Sequence, residues 1–249
     1  MTTPLLQAKD LRIAFYGVQA ADGVNLEIRE GEFLAIIGPN GSGKTTFLNL
    51  CTGYLRPSSG EVYLDGKPIT AMAPRTIARR GIARAFQIPQ LFLDNTVIEN
   101  LLLALSAREG SWSPFLAQQR HPKADEMWAL LDLVGLKETG NRIVRELPEG
   151  MRKLIDIAVA LALEPKLIFM DEPTSGVSST EKFQVMDTLT RVLDARATTA
   201  VFVEHDMDVV ARYASRVAVW TGGRIAHQGT PEEILSHPEV RETVIGVGV

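Results

Sequence analysis

Gly38-Pro39-Asn40-Gly41-Ser42-Gly43-Lys44-Thr45 is the stretch of this sequence that decides the fold. It fits the pattern G-x-x-x-x-G-K-[ST] and lies between an apolar run, 33–37, and a run typical of a helix, 46–51. A strand, a glycine-rich loop and a helix in this order form a phosphate-binding loop. The sequence therefore predicts that the protein binds a nucleoside triphosphate.

Each part of this stretch has a chemical role in the prediction. Glycine permits backbone dihedral angles that let successive N–H groups point at one anion, and the helix N-terminus adds positive potential. Lys44 supplies a mobile positive charge for the β- and γ-phosphates, and the Thr45 hydroxyl is a ligand for Mg²⁺. The predicted nucleotide-binding residues of this segment are Gly38, Pro39, Asn40, Gly41, Ser42, Gly43, Lys44, Thr45 and Thr46.

The composition restricts the class of protein. A chain of 249 residues with 45% apolar residues forms one large domain, or a core with a smaller subdomain. The net charge of −4 argues against a nucleic-acid partner, and the single cysteine, Cys51, fits a reducing cytoplasm. The N-terminus does not resemble a secretory signal, and no apolar run approaches the ~18–20 residues of a membrane span. We expect a soluble chain, which leaves docking to a membrane protein open.

The pattern of apolar residues changes twice along the chain. Residues 5–70 are predicted to be mainly strands, with a hairpin at Asp65-Gly66. Residues 71–165 are predicted to be helical, including helices at 96–105 and 123–134. From residue 166 strands and helices alternate, which indicates a parallel sheet with helical crossovers and an α/β fold. Thr230-Pro231-Glu232-Glu233 predicts a capping box at the start of a short C-terminal helix.

Two carboxylates follow the apolar run 167–170 directly. The carboxyl ends of parallel strands meet at the ligand-binding edge of a sheet, so Asp171 is predicted to lie near the phosphate loop and to orient Mg²⁺. Glu172 is then placed to activate a water molecule as general base. An acidic pair that merely opens a solvated turn is the alternative. His205 follows the apolar run 199–203 in the same way and is predicted to contact the γ-phosphate.

These motifs, in this order, resemble the ATP-binding cassette family, the ATPase subunits of ABC transporters, over nearly the whole chain. The resemblance implies one ABC ATPase domain over 1–249: a P-loop NTPase core with a parallel sheet, an N-terminal antiparallel β subdomain, and a helical subdomain at about 88–165. It implies ATP and Mg²⁺ as cofactors. Gln87 resembles the family's Q-loop glutamine, which contacts Mg²⁺ and the attacking water. Phe15 resembles the aromatic residue that stacks on adenine, and Tyr16 is the competing candidate.

The family's signature segment, usually Leu-Ser-Gly-Gly-Gln, contacts the ATP of the partner subunit. Its counterpart here is altered, since Pro148 has neither a hydroxyl nor an N–H to offer a phosphate and Glu149 adds negative charge. In the segment that follows the acidic pair, the family's D-loop, Ser178 stands where aspartate is usual. A capping box formed with Glu181 is an alternative explanation for this serine. We therefore expect pairing with a different cassette subunit. The signature segment consists of Leu147, Pro148, Glu149, Gly150 and Met151.

Several stretches resemble the subgroup that powers uptake of branched-chain amino acids or related amides, among them 83–87, 96–101 and 229–235. The implied partners are integral membrane permease subunits and, indirectly, a substrate-binding protein, with this chain at the cytoplasmic face. A groove lined by Arg84, Phe92 and Leu93 would contact the permease, although core packing equally explains the two apolar residues. The alternatives are a lipopolysaccharide-export-type cassette, a P-loop kinase and a non-transport cassette ATPase.

Overall fold

The computed structural model describes residues 4–109, 122–179 and 181–245, which contain both strands and helices. The strands are β1 (Leu6–Phe15), β2 (Val18–Ile28), β3 (Phe33–Ile37), β4 (Ser59–Leu64), β5 (Lys67–Pro68), β6 (Ile82–Ala85), β7 (Leu167–Asp171), β8 (Thr199–Val203), β9 (Arg216–Thr221) and β10 (Arg224–Gly229). The helices are α1 (Lys44–Cys51), α2 (Pro74–Arg79), α3 (Val97–Glu109), α4 (Ala124–Leu133), α5 (Glu149–Ala162), α6 (Glu181–Ala195), α7 (Met207–Tyr213), α8 (Pro231–Ser236) and α9 (Pro238–Val240).

The chain divides into two compact units. The first joins the residues up to Ile77 with those from Thr199 onward, and the second is Ala78–Thr198. In the first unit β2-β1-β4-β5 form an antiparallel sheet, and four further strands run in the order β10-β9-β3-β8. Strand β3 is parallel to β8 and to β9. Every residue of β8 and all of β3 after Phe33 are buried, as expected for central strands of a parallel sheet.

Three hairpins in the first unit turn over two residues. The turns are Tyr16-Gly17, Asp65-Gly66 and Gly222-Gly223, as the pairing of the residues that flank each turn shows. All six turn residues have positive φ, between 49° and 86°, which suits the right-handed twist of the flanking strands. The Asp65-Gly66 turn confirms the sequence prediction, whereas the other two turns and strand β10 were not predicted.

The second unit contains the parallel pair β6–β7 and the helices that pack beside it. Helix α5 contacts β6, β7, α3 and α4, and its buried face includes Ile155, Ile157 and Leu161. The region 71–165, predicted to be helical, also contains strand β6, which was not predicted. Strand β6 has only four residues, one of which is an arginine, so it does not show the alternation of apolar and polar residues that identifies a strand.

The predicted helices are present with shifted ends. Helix α3 continues beyond Leu105 to Glu109, and α4 covers Ala124–Leu133 within the predicted 123–134. The capping box predicted at the start of α8 has both of its hydrogen bonds, between Thr230 and Glu233. Residues 110–121, inside the predicted helical subdomain, lie outside the described residues. None of the helices described has the length and apolar character needed to cross a membrane.

Two glycines of the phosphate-binding loop lie against neighbouring backbone with no space for a side chain. A Cβ on Gly38 would be 2.1 Å from the carbonyl oxygen of Trp220, and one on Gly43 would be 2.0 Å from that of Ala20. Gly43 also has a φ of 109°, which L side chains rarely adopt. The shape of the loop therefore depends on glycine at both positions.

Gly43→Ala and Gly41→Ala form a matched pair that tests this packing. Both positions have positive φ, but a Cβ on Gly41 meets nothing within 4 Å. We expect Gly41→Ala to lower the free energy of unfolding by about 1 kcal/mol, the cost of a left-handed alanine. Gly43→Ala adds the steric clash and should lower it by about 3 kcal/mol or more. Equal losses in urea titrations of the two variants would contradict the packing argument.

Candidate functional site

The phosphate loop begins where β3 ends and leads into α1. Lys44 is 6% exposed, and its Nζ donates hydrogen bonds to the carbonyl oxygens of Gly38 at 2.7 Å and Pro39 at 2.8 Å. In α1 the Phe47 N–H donates a hydrogen bond to Gly43 O at 2.9 Å. The N–H groups before it, in the first turn, have no acceptor within the helix. The loop thus brings a positive charge and a helix N-terminus together, which favours an anion.

Two buried polar atoms of the first unit lie beside this loop without a hydrogen-bond partner among the described residues. They are Ser42 Oγ, 3.2 Å from the position of a Cβ on Gly38, and Trp220 Nε1, 3.0 Å from that of a Cβ on Gly43. Buried polar atoms without partners are rare and indicate a missing water or ligand. Thr45 is exposed at the start of α1, and Thr46 is half-buried. These donors fit a phosphate-bearing nucleotide.

The two candidate adenine-stacking residues lie at the β1–β2 hairpin. Phe15 is the last residue of β1 and is 40% exposed, whereas Tyr16 occupies the turn with a φ of 50° and is fully exposed. An exposed aromatic ring is available for stacking on a base. Both side chains remain candidates for this role.

His205 lies between the carboxyl end of β8 and the N-cap of α7. Its side chain is exposed, and its backbone N–H donates to the carboxylate of buried Glu204 at 3.1 Å. The next residue, Asp206, caps α7 by accepting from the N–H groups of Asp208 and Val209. Because β8 is parallel to β3, His205 is at the same edge of the strands as the phosphate loop, as predicted.

In the second unit, two predicted catalytic residues contact each other directly. The Gln87 side-chain amide donates a hydrogen bond to Glu172 Oε2 at 3.0 Å. Glu172 follows the fully buried strand β7 and has a φ of 52°, an uncommon conformation for a residue other than glycine. Strained backbone of this kind clusters at active sites. The structure therefore brings Gln87 and Glu172 together, 85 residues apart in sequence.

Asp171, the predicted Mg²⁺-orienting carboxylate, forms a buried ion pair. Its Oδ2 lies 3.2 Å from Arg84 Nη2, and the two side chains are 3% and 5% exposed. Arg84 also lies over the ring of Phe86 at 4.8 Å. Arg84 therefore does not line a surface groove as expected, because its side chain is almost fully buried and pairs with Asp171. Phe92 and Leu93 are 62% and 44% exposed, so core packing does not explain them.

Asp156 joins α5 to the segment that carries Gln87, and sequence reasoning missed it. Its carboxylate accepts hydrogen bonds from the backbone N–H groups of Phe86 at 2.9 Å and Gln90 at 3.0 Å. Burial raises the pKa of the Asp156 carboxyl to about 6, although both N–H donors and Lys153 act in the opposite direction. An acidic residue between Ile155 and Ile157 on a largely buried helix was the available signal.

The altered signature segment forms the start of α5. Leu147 is buried, Pro148 caps the helix with φ −57° and ψ 155°, and Glu149 is its exposed first residue. Glu149 lies next to Gly176, since a Cβ on that glycine would be 3.8 Å from the Glu149 carboxylate. Gly150 is half-buried, and Met151 is 37% exposed. Pro148 supplies the fixed φ and Glu149 the negative charge that favour a helix N-terminus, which explains both departures locally.

Ser178 has the capping interactions that the sequence suggested. Its Oγ accepts from the Glu181 N–H at 3.4 Å and donates to the Glu181 carboxylate at 2.5 Å. These bonds satisfy a donor at the start of α6. Helix capping therefore accounts for a serine at this position.

Residues 21–175 match the family described as ABC transporter. The chain is 34% identical over 253 residues to the high-affinity branched-chain amino acid transport ATP-binding protein LivG of Salmonella typhimurium, with 99% of each chain covered. An ATP-binding cassette of an ABC transporter, solved in its ADP conformation, has a TM-score of 0.86 and 32% identity, covering 99% of this chain and 100% of that one. A dimeric cassette in a post-hydrolysis state with ADP and Pi has a TM-score of 0.75 and 27% identity, covering 91% and 98%.

Asp156 should make stability depend on pH in an unusual direction. Its pKa is raised from 3.8 to about 6, so the folded state holds a proton that the unfolded state has released between these values. Its contribution is complete below pH 3.8 and is lost as the pH rises through 6, with a size on the order of 3 kcal/mol. We expect the free-energy difference between wild type and Asp156→Asn to fall by that amount between pH 4 and pH 7.

Asp132→Asn is the matched control, because Asp132 is an exposed carboxylate of the same unit. Its unfolding free energy, measured in urea across the same pH range, should follow that of wild type. If the difference in free energy of unfolding between wild type and Asp156→Asn stayed constant from pH 4 to pH 7, the raised pKa of Asp156 would be ruled out.

Proposed function

This chain belongs to the ABC transporter family, and we propose that it is the ATP-hydrolysing subunit of a transporter for branched-chain amino acids or related amides. The hydrogen bond from Gln87 to Glu172, at the end of a buried strand, is the observation that carries the ATPase assignment. It supports a role for Glu172 in activating water, because the amide fixes the orientation of the carboxylate. The names of the relatives, which are branched-chain amino acid transport ATP-binding proteins, favour amino-acid transport over the other transport classes considered.

The proposed nucleotide contacts follow from the phosphate loop. Lys44 would exchange its bonds to the loop carbonyls for bonds to the β- and γ-phosphates, and the first-turn N–H groups of α1 would bind the same oxygens. Phe15 is the proposed adenine-stacking residue. The remaining proposed contacts come from Gly38, Pro39, Asn40, Gly41, Ser42, Gly43, Thr45 and Thr46.

Thr45, Gln87 and Asp171 are the proposed Mg²⁺ residues. Their hydroxyl, amide and carboxylate oxygens are hard ligands, which suit this cation. Bound Mg²⁺ would supply charge neutralisation for the triphosphate. The carboxylate of Asp171 already has Arg84 as a partner at 3.2 Å, so Arg84 fixes the orientation of this side chain.

Glu172 is the proposed general base and His205 the proposed γ-phosphate contact. Glu172 would accept a proton from the attacking water, while Gln87, which donates to the same carboxylate, would orient both groups. His205 is exposed at the end of β8 and has a ring N–H to donate to a phosphate oxygen. Glu172 directly follows β7 and His205 lies just after β8, so these buried strands limit the movement of both residues.

We further propose that the chain pairs with a different cassette subunit at the cytoplasmic face of the membrane. Leu147, Pro148, Glu149, Gly150 and Met151 would contact the partner's ATP. Glu149 would bring a carboxylate near the partner's γ-phosphate, so the site to which this chain lends its signature segment would be the weaker one. Integral membrane permease subunits would bind near the exposed side chains of Ile88, Phe92 and Leu93. A substrate-binding protein would act through the permease.

Glu172→Gln should abolish ATP hydrolysis while preserving ATP binding. The substitution keeps the size of the side chain but removes the proton acceptor, so turnover should fall about 100-fold or more. Phosphate release and binding of a fluorescent ATP analogue measure the two effects. Glu232→Gln, the same change at an exposed carboxylate of α8, is the control and should match wild type. Wild-type turnover in Glu172→Gln would refute the assigned base.

Native mass spectrometry of the complex, purified in detergent from its own membrane, tests the partners. We expect one copy of this chain, one of a different cassette subunit, and integral membrane subunits. Two copies of this chain would contradict the heterodimer while leaving the transport function intact. Absence of integral membrane subunits would contradict the transport function itself.

A further inference from the structure

The C-terminal part of the first unit contains two histidines and a glutamate that lie close together. His227 is on β10, His237 precedes α9, and Glu239 is within α9. His227 Nε2 lies 3.2 Å from Glu239 Oε2, and the centroids of the two imidazole rings are 4.2 Å apart. One nitrogen or oxygen from each of the three residues lies within 4.8 Å of the others. The ATPase reaction proposed above does not use any of them.

His237, one of the three residues, has a ring nitrogen without a hydrogen-bond partner among the described residues. Its Nδ1 is buried and has no hydrogen-bond partner within the described part of the chain. A buried ring nitrogen without a partner costs free energy, and a cation bound to it would provide the missing interaction. Both histidines are half-buried, whereas Glu239 is exposed. The cluster is therefore accessible to an ion from solvent.

The spacing of the donor atoms suits a small transition-metal ion. Zinc binds histidine nitrogen and carboxylate oxygen at about 2.0–2.2 Å, so two ligands of a tetrahedral site are about 3.3 Å apart. The His227–Glu239 distance of 3.2 Å is close to this value, and the other distances between the donor atoms are no more than 4.8 Å. Two neutral imidazoles and one carboxylate carry a single negative charge, which favours a divalent cation. Three protein ligands leave a fourth position for water.

We propose that His227, His237 and Glu239 form a binding site for a divalent transition-metal ion of the zinc class. The ion would connect β10 to α9 and so close the segment that contains α8. Because folded protein binds the ion and unfolded chain does not form the site, binding would stabilise this part of the first unit. The site is separate from the phosphate loop in sequence and in its ligand chemistry.

Zinc titration of the purified full-length chain, without nucleotide or chelator, tests the proposal. Isothermal titration calorimetry should show one zinc ion per chain, and each of His227→Gln, His237→Gln and Glu239→Gln should lower the affinity about tenfold or more. Co²⁺ should give the visible absorption of a tetrahedral complex, and this absorption should be lost in the same variants. Glu239 is exposed, so Glu239→Gln removes a ligand without disturbing the packing.

Glu30→Gln and Glu232→Gln are the control variants, because they remove exposed carboxylates of the same unit that lie outside the cluster. Both should bind zinc with wild-type affinity. Circular dichroism without metal checks that each ligand variant is folded. No stoichiometric binding, unchanged affinity in Glu239→Gln, or loss of binding in either control variant would overturn the proposal.

Discussion

The close approach of the phosphate loop to neighbouring backbone is the constraint on which the first unit depends. Gly38 lies against the carbonyl of Trp220 in β9, and Gly43 lies against that of Ala20 in β2. The Gly223 N–H adds a hydrogen bond to Ser42 O at 2.9 Å. Strands of both sheets of this unit therefore fix the loop from different sides. The loop can hold its donors in position before a ligand arrives, which reduces the entropy lost on binding.

The buried ion pair of Arg84 and Asp171 plays a comparable role in the second unit. Two charges that are almost fully removed from water need each other, because either alone would carry a large desolvation cost. The pair joins the neighbouring parallel strands β6 and β7, whose residues Arg84 and Phe169 are in register. It fixes the end of β7 immediately before Glu172. The conformation of the proposed base is therefore supported by an interaction that does not involve its own side chain.

The sequence predicted the parts of the fold and of the candidate site that depend on local patterns. The phosphate loop, the acidic end of β7 and His205 each follow an apolar run directly, and the capping box at Thr230 needs only neighbouring residues. These features were found because strand ends and helix starts have characteristic residues. The fold class is confirmed for the same reason.

The remaining features depend on residues that are distant in sequence. Nothing near Arg84 indicates that its partner is Asp171, and nothing near Asp156 indicates that it accepts from Phe86 and Gln90. Strand β10 has alternating exposed and half-buried residues, so it lacks the continuous apolar run that identifies a central strand. Each of these features depends on a contact that forms only in the folded structure. A local sequence pattern carries no information about such a contact.

The double hydrogen bond of Asp156 has a consequence for how such proteins diverge. One carboxylate fixes the backbone at Phe86 and at Gln90, so the intervening residues keep their path whatever side chains they carry. Ile88, within this segment, is 74% exposed. Substitution of this exposed side chain would leave both backbone hydrogen bonds in place, so related sequences can vary at this position while the geometry around Gln87 is kept.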